Sequence, residues 1–288
     1  MPPAGAQPLD EELDVHGLTH VGKVREKNQD HYLLCSLHKQ MVVHDTSLPY
    51  PENLPLRGER LAYMALVADG VGGLSAGEEA SRIALENVVR YVTNTMQCYY
   101  THDPQLESQF LEQLNESVME SHAAVVQEAE ADPKRQGMAT TLTLAIGIWP
   151  WIYIVQVGDS RCYQLHDGEL IQITRDQTVA QELYDQGVLS TAETIDSKWA
   201  HVLSSAIGGP EARPMTNRVA WHPDGVMLLC SDGLTGYVPE ERIKQRLLEM
   251  ESSRQAAEAL LQDALDGGGG DNITIVVGRA RAPVPQAV

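Results

Sequence analysis

Cations are scarce in this sequence. Its 288 residues hold 21 Lys and Arg against 40 Asp and Glu, a formal net charge of −19, and no basic run of five or more. Nucleic acid is gripped through its phosphates by Lys and Arg, so this balance excludes a nucleic-acid-binding protein. A phosphorylated substrate is not excluded, because bound divalent cations reverse the local sign. Cysteine is scarce as well. Cys35, Cys98, Cys162 and Cys230 lie far apart without CxxC spacing, which argues against a cysteine-bound zinc. Three of them sit in or beside apolar runs and fit buried, reduced thiols of a cytoplasmic protein. The first twelve residues, MPPAGAQPLDEE, lack the basic and apolar regions of a signal peptide. With the Pro-rich end RAPVPQAV they read as disordered tails, residues 1–12 and 281–288.

Between those tails, 43% hydrophobic and 21% charged residues allow a large core at this length and exclude a chain disordered throughout. One stretch, 136–158, carries no charge and is long enough to cross a bilayer. Its pattern alternates, however: Leu142, Leu144, Ile146 and Ile148 against Thr141, Thr143, Ala145 and Gly147. Trp149-Pro150 then interrupts before WIYIVQV. Two strands of a hairpin fit better, and no membrane insertion is expected. Periodicity predicts further strands near 31–36, 61–68, 161–166, 169–173, 226–230 and 273–278. It predicts helices over 76–97, 105–130, 239–250 and 252–265, the first with Ile83, Val88, Val92 and Met96 as its apolar stripe. Residues 37–60 read as a long connection, and 176–222 as a mixed segment of weak periodicity.

The chemistry gathers where strands end. Four apolar runs stop at, or start from, an aspartate with small neighbours: LVADGVGG at Asp69, VQVGDSR at Asp159, MLLCSDG at Asp232 and GGDNITIVV at Asp271. A lone Asp-Gly is more often a turn than a ligand, as at Asp167-Gly168 between two alternating strands. Asp69 and Asp232 differ in following fully apolar runs, with two more strand-end aspartates elsewhere. Carboxylates delivered by adjacent strand ends converge, and glycine beside them leaves room for an ion and its water. An all-oxygen set of this kind selects Mg²⁺ or Mn²⁺ over zinc.

A fifth element, VREKNQDHYLL, sets Arg25 five residues before Asp30. Arg25-x-x-Asn28-Gln29-Asp30, Asp69-Gly70-x-Gly72-Gly73, Gly137-x-Ala139-Thr140-Thr141, Gly158-Asp159-Ser160-Arg161, Ser231-Asp232-Gly233 and Asp271-Asn272-x-Thr274 follow one another along the chain. Their order and spacing resemble the metal-dependent type 2C protein serine/threonine phosphatases, in the bacterial branch, over about residues 15–280. The resemblance implies an α+β fold, an α-β-β-α sandwich of two antiparallel sheets flanked by helices. The phosphatase domain would span 13–280, with a flap subdomain at about 176–222.

Carried over residue by residue, the resemblance makes Asp69 a bridge between two Mn²⁺ or Mg²⁺ ions and gives the second ion the Gly70 carbonyl. Asp232 and Asp271 would complete the first ion, and Asp30 would reach the second. Asp159, with Asp232, would hold a possible third. Arg25 would grip the substrate phosphate, and a hydroxide bridging the two ions would hydrolyse phosphoserine or phosphothreonine in proteins. The implied setting is a monomer reversing the work of a bacterial Ser/Thr kinase. A catalytically silent relative and a hydrolase of small phosphate esters are the other readings. Two departures stand out: Val71 and Leu74 occupy places where many members carry histidine, and Gln177 stands where histidine commonly follows the aspartate. Gly187, Gly208 and Gly209 fit either flap hinges or turn and C-cap glycines. His31 beside Asp30 reads as a strand residue.

Overall fold

Alternation within the apolar runs sorts side chains into separate interiors. In the computed structural model, which describes residues 7–40, 42–43, 46–47, 50, 52, 56–72, 76–94, 104–190 and 198–280, strands and helices follow in a mixed order. The strands are β1 Leu13–His20, β2 His31–Gln40, β3 Arg57–Ala68, β4 Gly70–Val71, β5 Ala139–Thr140, β6 Leu142–Ile148, β7 Trp151–Val157, β8 Arg161–His166, β9 Glu169–Gln172, β10 Met215–Ala220, β11 Val226–Cys230 and β12 Ile273–Ala280. The helices are α1 Ala76–Asn94, α2 Pro104–Ala131, α3 Val179–Asp185, α4 Asp232–Thr235, α5 Glu240–Leu248 and α6 Ser253–Asp266.

Two five-stranded sheets form among the described residues, in the orders β10-β7-β6-β3-β2 and β1-β12-β11-β8-β9, with every pairing antiparallel. On β3, Met64, Leu66 and Ala68 join α1 and α2 in one core, through Ile83, Val88, Leu114 and Val118. Ala65 and Val67, pointing the other way, meet Leu229 and Val276 of the second sheet. That sheet's outer face, with Leu228, Ile275 and Val277, packs on Leu247 of α5 and Leu260 of α6. Three apolar layers thus separate helix, sheet, sheet and helix, the expected α-β-β-α sandwich.

The uncharged stretch 136–158 is the β6–β7 hairpin, in register from Leu142↔Val157 to Ile148↔Trp151. Among the described residues no helix is long and apolar enough to cross a membrane. Two full strands lie where none was expected. Both are edge strands, β1 and β10, half-exposed over nearly their whole length. An edge strand buries one face weakly, so its period-2 signal is faint. β10 lies inside the 176–222 stretch and pairs with β7 from Met215↔Gln156 to Ala220↔Trp151. The tail expected through residue 12 is anchored from Gln7 onward: the buried Arg60 guanidinium pairs with Asp10 and the Gln7 amide reaches the Arg60 carbonyl. The tail residues 1–6 and 281–288, with Met96, Leu74 and Cys98, lie outside the described residues.

Leu66 is fully buried on the central strand that leads to Asp69, whereas Leu56 is 38% exposed. Leu66→Ala should cost about 2–5 kcal/mol in urea denaturation, and Leu56→Ala about 0.5 kcal/mol or less. Equal losses would show that the β3–α1 layer is not a packed core.

Candidate metal centre

The two sheets deliver their aspartates to one end of the sandwich. Asp30 precedes β2 and Asp69 follows β3, both in the first sheet; Asp232 follows β11 and Asp271 precedes β12, both in the second. Asp159 follows β7 after Gly158, whose φ of 102° a side chain would disfavour. Glycine is also required at Gly70, where a Cβ would lie 2.2 Å from the Gly77 carbonyl oxygen and 2.7 Å from that of Gln29.

Small polar residues fix these ends. The Thr141 hydroxyl accepts from the Asp69 amide at 3.0 Å and shares a 2.7 Å hydrogen bond with Ser160. Asp30, buried, accepts from the Ser231 and Thr274 hydroxyls, each at 2.7 Å, through a single oxygen. Asn272 clamps the segment that carries Arg25: its oxygen accepts from the Gln29 amide at 2.8 Å, and its nitrogen donates to the Val21 and Lys27 carbonyls at 2.9 Å. Gln177 accepts from the Gly158 amide at 2.8 Å and donates to the Arg213 carbonyl at 2.7 Å, tying the turn before Asp159 to the far side of the flap stretch. Motif letters alone assigned none of these positioning roles, and the 19-residue separation of Gln177 from Gly158 leaves no local pattern to read.

Burial and mutual repulsion push the carboxylates up. Desolvation, opposed by the two hydroxyl donors and reinforced by Asp232, raises Asp30 to about 7. Asp69 is raised by desolvation and by Asp30, Asp232 and Asp159, Asp159 by desolvation, Asp232 and Asp176, and Asp232 by desolvation and Asp271.

One oxygen of Asp30 and one of Asp232 are buried without a hydrogen-bond partner. A buried carboxylate oxygen in that condition is costly unless a cation meets it, and an acid-rich, all-oxygen set fits a hard divalent ion. Among the described residues no three His, Cys, Asp or Glu side chains converge at ligating distance on one point. The reason is visible: both Asp271 oxygens face Arg25, at 2.8 and 2.7 Å, and the other Asp30 oxygen faces Ser231 and Thr274. Arg25 is half-exposed and bonded to Asp271, whose carboxylate raises the guanidinium pKa.

Beside the carboxylates opens a cleft lined by Asp159, Asp232, Thr178, Tyr184 and His201. His201 approaches Asp232 at 3.8 Å. Arg161 holds Asp176 through two nitrogens, at 2.9 and 2.7 Å, and donates to the Tyr163 hydroxyl. Val71 is exposed and offers no proton. His31 opens β2 and meets the Ser81 hydroxyl at 2.8 Å, as a strand residue. Gly187 ends α3 and Gly208 turns against Met138, both at positive φ, so the turn role is met at each.

Fold and site together define an α-β-β-α sandwich whose seam carries an acidic centre suited to divalent cations. The chain belongs to the protein phosphatase 2C family, whose family model matches residues 56–267. Arg25, Asp30 and Asp271 fall outside that span. The chain is 35% identical over 217 residues to the serine/threonine protein phosphatase PstP of Mycobacterium tuberculosis, covering 75% of this chain and 40% of that protein. It therefore spans less than half the length of that relative. With the serine/threonine phosphatase stp of Listeria monocytogenes it shares 32% identity over 216 residues, 74% of this chain and 83% of that one. The crystal structure of PstP from M. tuberculosis superposes with a TM-score of 0.74 at 28% identity, over 94% of this chain and 99% of that one. A structure of the PstP catalytic domain in complex with two manganese ions gives 0.72 at 29% identity, with the same coverage.

Carboxylic acids whose pKa is raised in the folded state stabilise it below their ordinary pKa and lose that contribution as pH rises through the folded value. For Asp30 the window runs from 3.8 to about 7. Metal-free protein should therefore melt at a lower temperature at about pH 8 than at about pH 5, and excess Mn²⁺ should remove or reverse the difference. Scanning fluorimetry in EDTA and in Mn²⁺ measures both; a melting temperature rising with pH in EDTA would contradict the buried acid cluster.

Proposed function

We propose that this chain is a metal-dependent phosphatase of phosphoserine and phosphothreonine in proteins, opposing a bacterial Ser/Thr kinase. The single observation that carries the reading is the aspartate seam with its two buried, partnerless oxygens. The names of the mycobacterial and listerial relatives support the substrate class. In this reading residues 13–280 are one phosphatase domain, with the flap within 176–222.

Asp69 would lie between two Mn²⁺ or Mg²⁺ ions, Asp232 and Asp271 on one, Asp30 and the Gly70 carbonyl on the other, with Asp159 on a possible third. Bound there, the ions would supply Lewis acidity and an activated water for attack on phosphorus. The chain's own residues do the rest. Ser231 and Thr274 hold Asp30 by one oxygen and so turn its other oxygen toward the seam. Asn272 fixes the strand approach that carries Arg25. With a cation held at Asp271, the Arg25 fork would be free to pair with two oxygens of a dianionic phosphate. With Val71 aprotic, the leaving oxygen would be protonated by water, not by a side chain at that position.

On one phosphothreonine peptide, EDTA should abolish turnover and Mn²⁺ or Mg²⁺ restore it. Asp232→Asn and Asp69→Asn should each remove nearly all activity while leaving metal-free stability unchanged or higher. Arg25→Ala should lower kcat/KM about thirtyfold, the equivalent of about 2 kcal/mol for a charge-assisted contact, with part of the loss in KM. Full activity in chelator would overturn the metal-dependent reading, and an unchanged KM and kcat in Arg25→Ala would remove that residue from phosphate binding.

A further inference from the structure

Between α6 and Asp271 the chain runs through consecutive glycines, Gly267 to Gly270. The turn they form is laid along one side chain, that of Tyr237. A Cβ on Gly267 would come 3.2 Å from the Tyr237 Cβ, one on Gly268 3.3 Å from the ring carbon Cε1, and one on Gly270 2.1 Å from the hydroxyl oxygen. The tyrosine therefore lies alongside the turn from root to tip. Gly268 and Gly269 turn through positive φ, of 134° and 57°, whereas Gly270 does not, so at Gly270 the contact with Tyr237 and not the backbone demands glycine.

The backbone of Tyr237 is fixed to the helix that starts at Asp232. Its amide donates to the Leu234 carbonyl at 3.1 Å, and those of Gly236 and Val238 donate to the Asp232 and Leu234 carbonyls at 2.7 and 2.9 Å. One residue thus has its backbone in the end of α4 and its ring against the turn that delivers Asp271. Just past Asp271, α4 comes close again: a Cβ on Gly233 would lie 1.9 Å from the Asn272 carbonyl oxygen. Asp271 is thereby held between two contacts with the short helix whose first residue is Asp232. The two carboxylates repel, Asp271 raising the pKa of Asp232. An ion shared by both needs them at a set spacing, which repulsion alone would widen.

From these contacts we propose that Tyr237 is a positioning residue of the metal centre, whose side chain is the form over which the Gly267–Gly270 turn is laid and so sets Asp271 relative to Asp232. That role rests on the reading in which the two aspartates share an ion. The phenol supplies shape, neither a proton nor a ligand. Its shape imposes a size rule: a methyl added at Gly270 and the loss of the hydroxyl it would meet should compensate each other. Without the hydroxyl, the nearest ring atom to that methyl is Cζ, at 3.0 Å, which a small tilt of the ring relieves.

Backbone NMR of the EDTA-treated full chain reads the position of Asp271 without metal, through the Asn272 amide, which donates to Asp271 Oδ1 at 2.8 Å. Calorimetric titration with Mn²⁺ reads affinity, and urea denaturation in EDTA reads stability. Gly270→Ala should shift the Asn272 amide resonance and weaken Mn²⁺ about tenfold or more, the usual cost of disturbing a group that aims a ligand. Adding Tyr237→Phe should return the resonance and bring the Kd back to within about threefold of the unsubstituted chain, where Tyr237→Phe alone should also lie. Leu261→Ala, in the apolar layer on which Tyr237 packs, should lower stability without moving the Mn²⁺ Kd. An unchanged Mn²⁺ Kd in Gly270→Ala, a loss that Tyr237→Phe fails to rescue, or an equal loss in Leu261→Ala overturns the role of Tyr237. Should Gly270→Ala fail to fold, Tyr237→Ala replaces it: a shifted Asn272 amide with weakened Mn²⁺ is expected, and no change in either overturns the role. An unsubstituted chain that binds no Mn²⁺ would overturn the metal-centre reading instead, and the Asn272 shift with its rescue then decides whether Tyr237 sets Asp271.

Discussion

Bringing like charges together at the seam of two sheets is the constraint on which the rest of this structure depends. Asp30 and Asp159 are buried and Asp69 and Asp232 partly so, and Asp30, Asp159 and Asp232 each raise the pKa of at least one other. Nothing in the local sequence compensates for that. The compensation is spread over the fold, in the hydroxyls of Ser231 and Thr274, the shared hydrogen bond of Thr141 and Ser160, and three apolar layers rigid enough to hold the strand ends in place. Burial of apolar surface in those layers is what allows an unfavourable site to persist, as expected where strain is localised at a functional position.

The cations would change the sign of this arrangement. Without them the seam is a set of acids that favours protonation; with them the carboxylates would be held ionised as ligands. The same residues would therefore act against stability in one condition and for it in the other. Such a site gains little from hydrophobic neighbours and much from donors that fix one carboxylate oxygen while leaving the second exposed to the seam. Asp30 meets that description atom by atom.

Most of the sandwich was legible in the sequence because its central strands are buried on both faces. LVA before Asp69 and MLLC before Asp232 are continuous apolar runs, and their abrupt ends at an aspartate mark both the strand and the site. The edge strands β1 and β10 were not legible, since LDVHGLTH and MTNRVA mix polar residues into a half-exposed ladder. Within the site, the aspartates could be read one by one, but the residues that aim them could not. Asn272 reaches Val21 and Lys27 across about 250 residues, and Gln177 reaches Arg213 across the flap stretch. Those pairings depend on which strands become neighbours, and no local spacing encodes that.

Arg25 makes the same point in energetic terms. The family resemblance implies a phosphate grip for it, and its fork is closed on Asp271 at 2.7 and 2.8 Å while its side chain remains half-exposed. An exposed ion pair of this kind contributes little, on the order of 0–1 kcal/mol, because water competes for both partners. In the proposed reading, a cation on Asp271 and a dianionic phosphate on Arg25 would jointly replace it at small cost. A buried Arg–Asp pair would resist that exchange, since separating it strands a charge. In the proposed reading, keeping Arg25 on a water-exposed segment clamped through its backbone by Asn272 would let one residue pair with Asp271 in one state and face a substrate in the other.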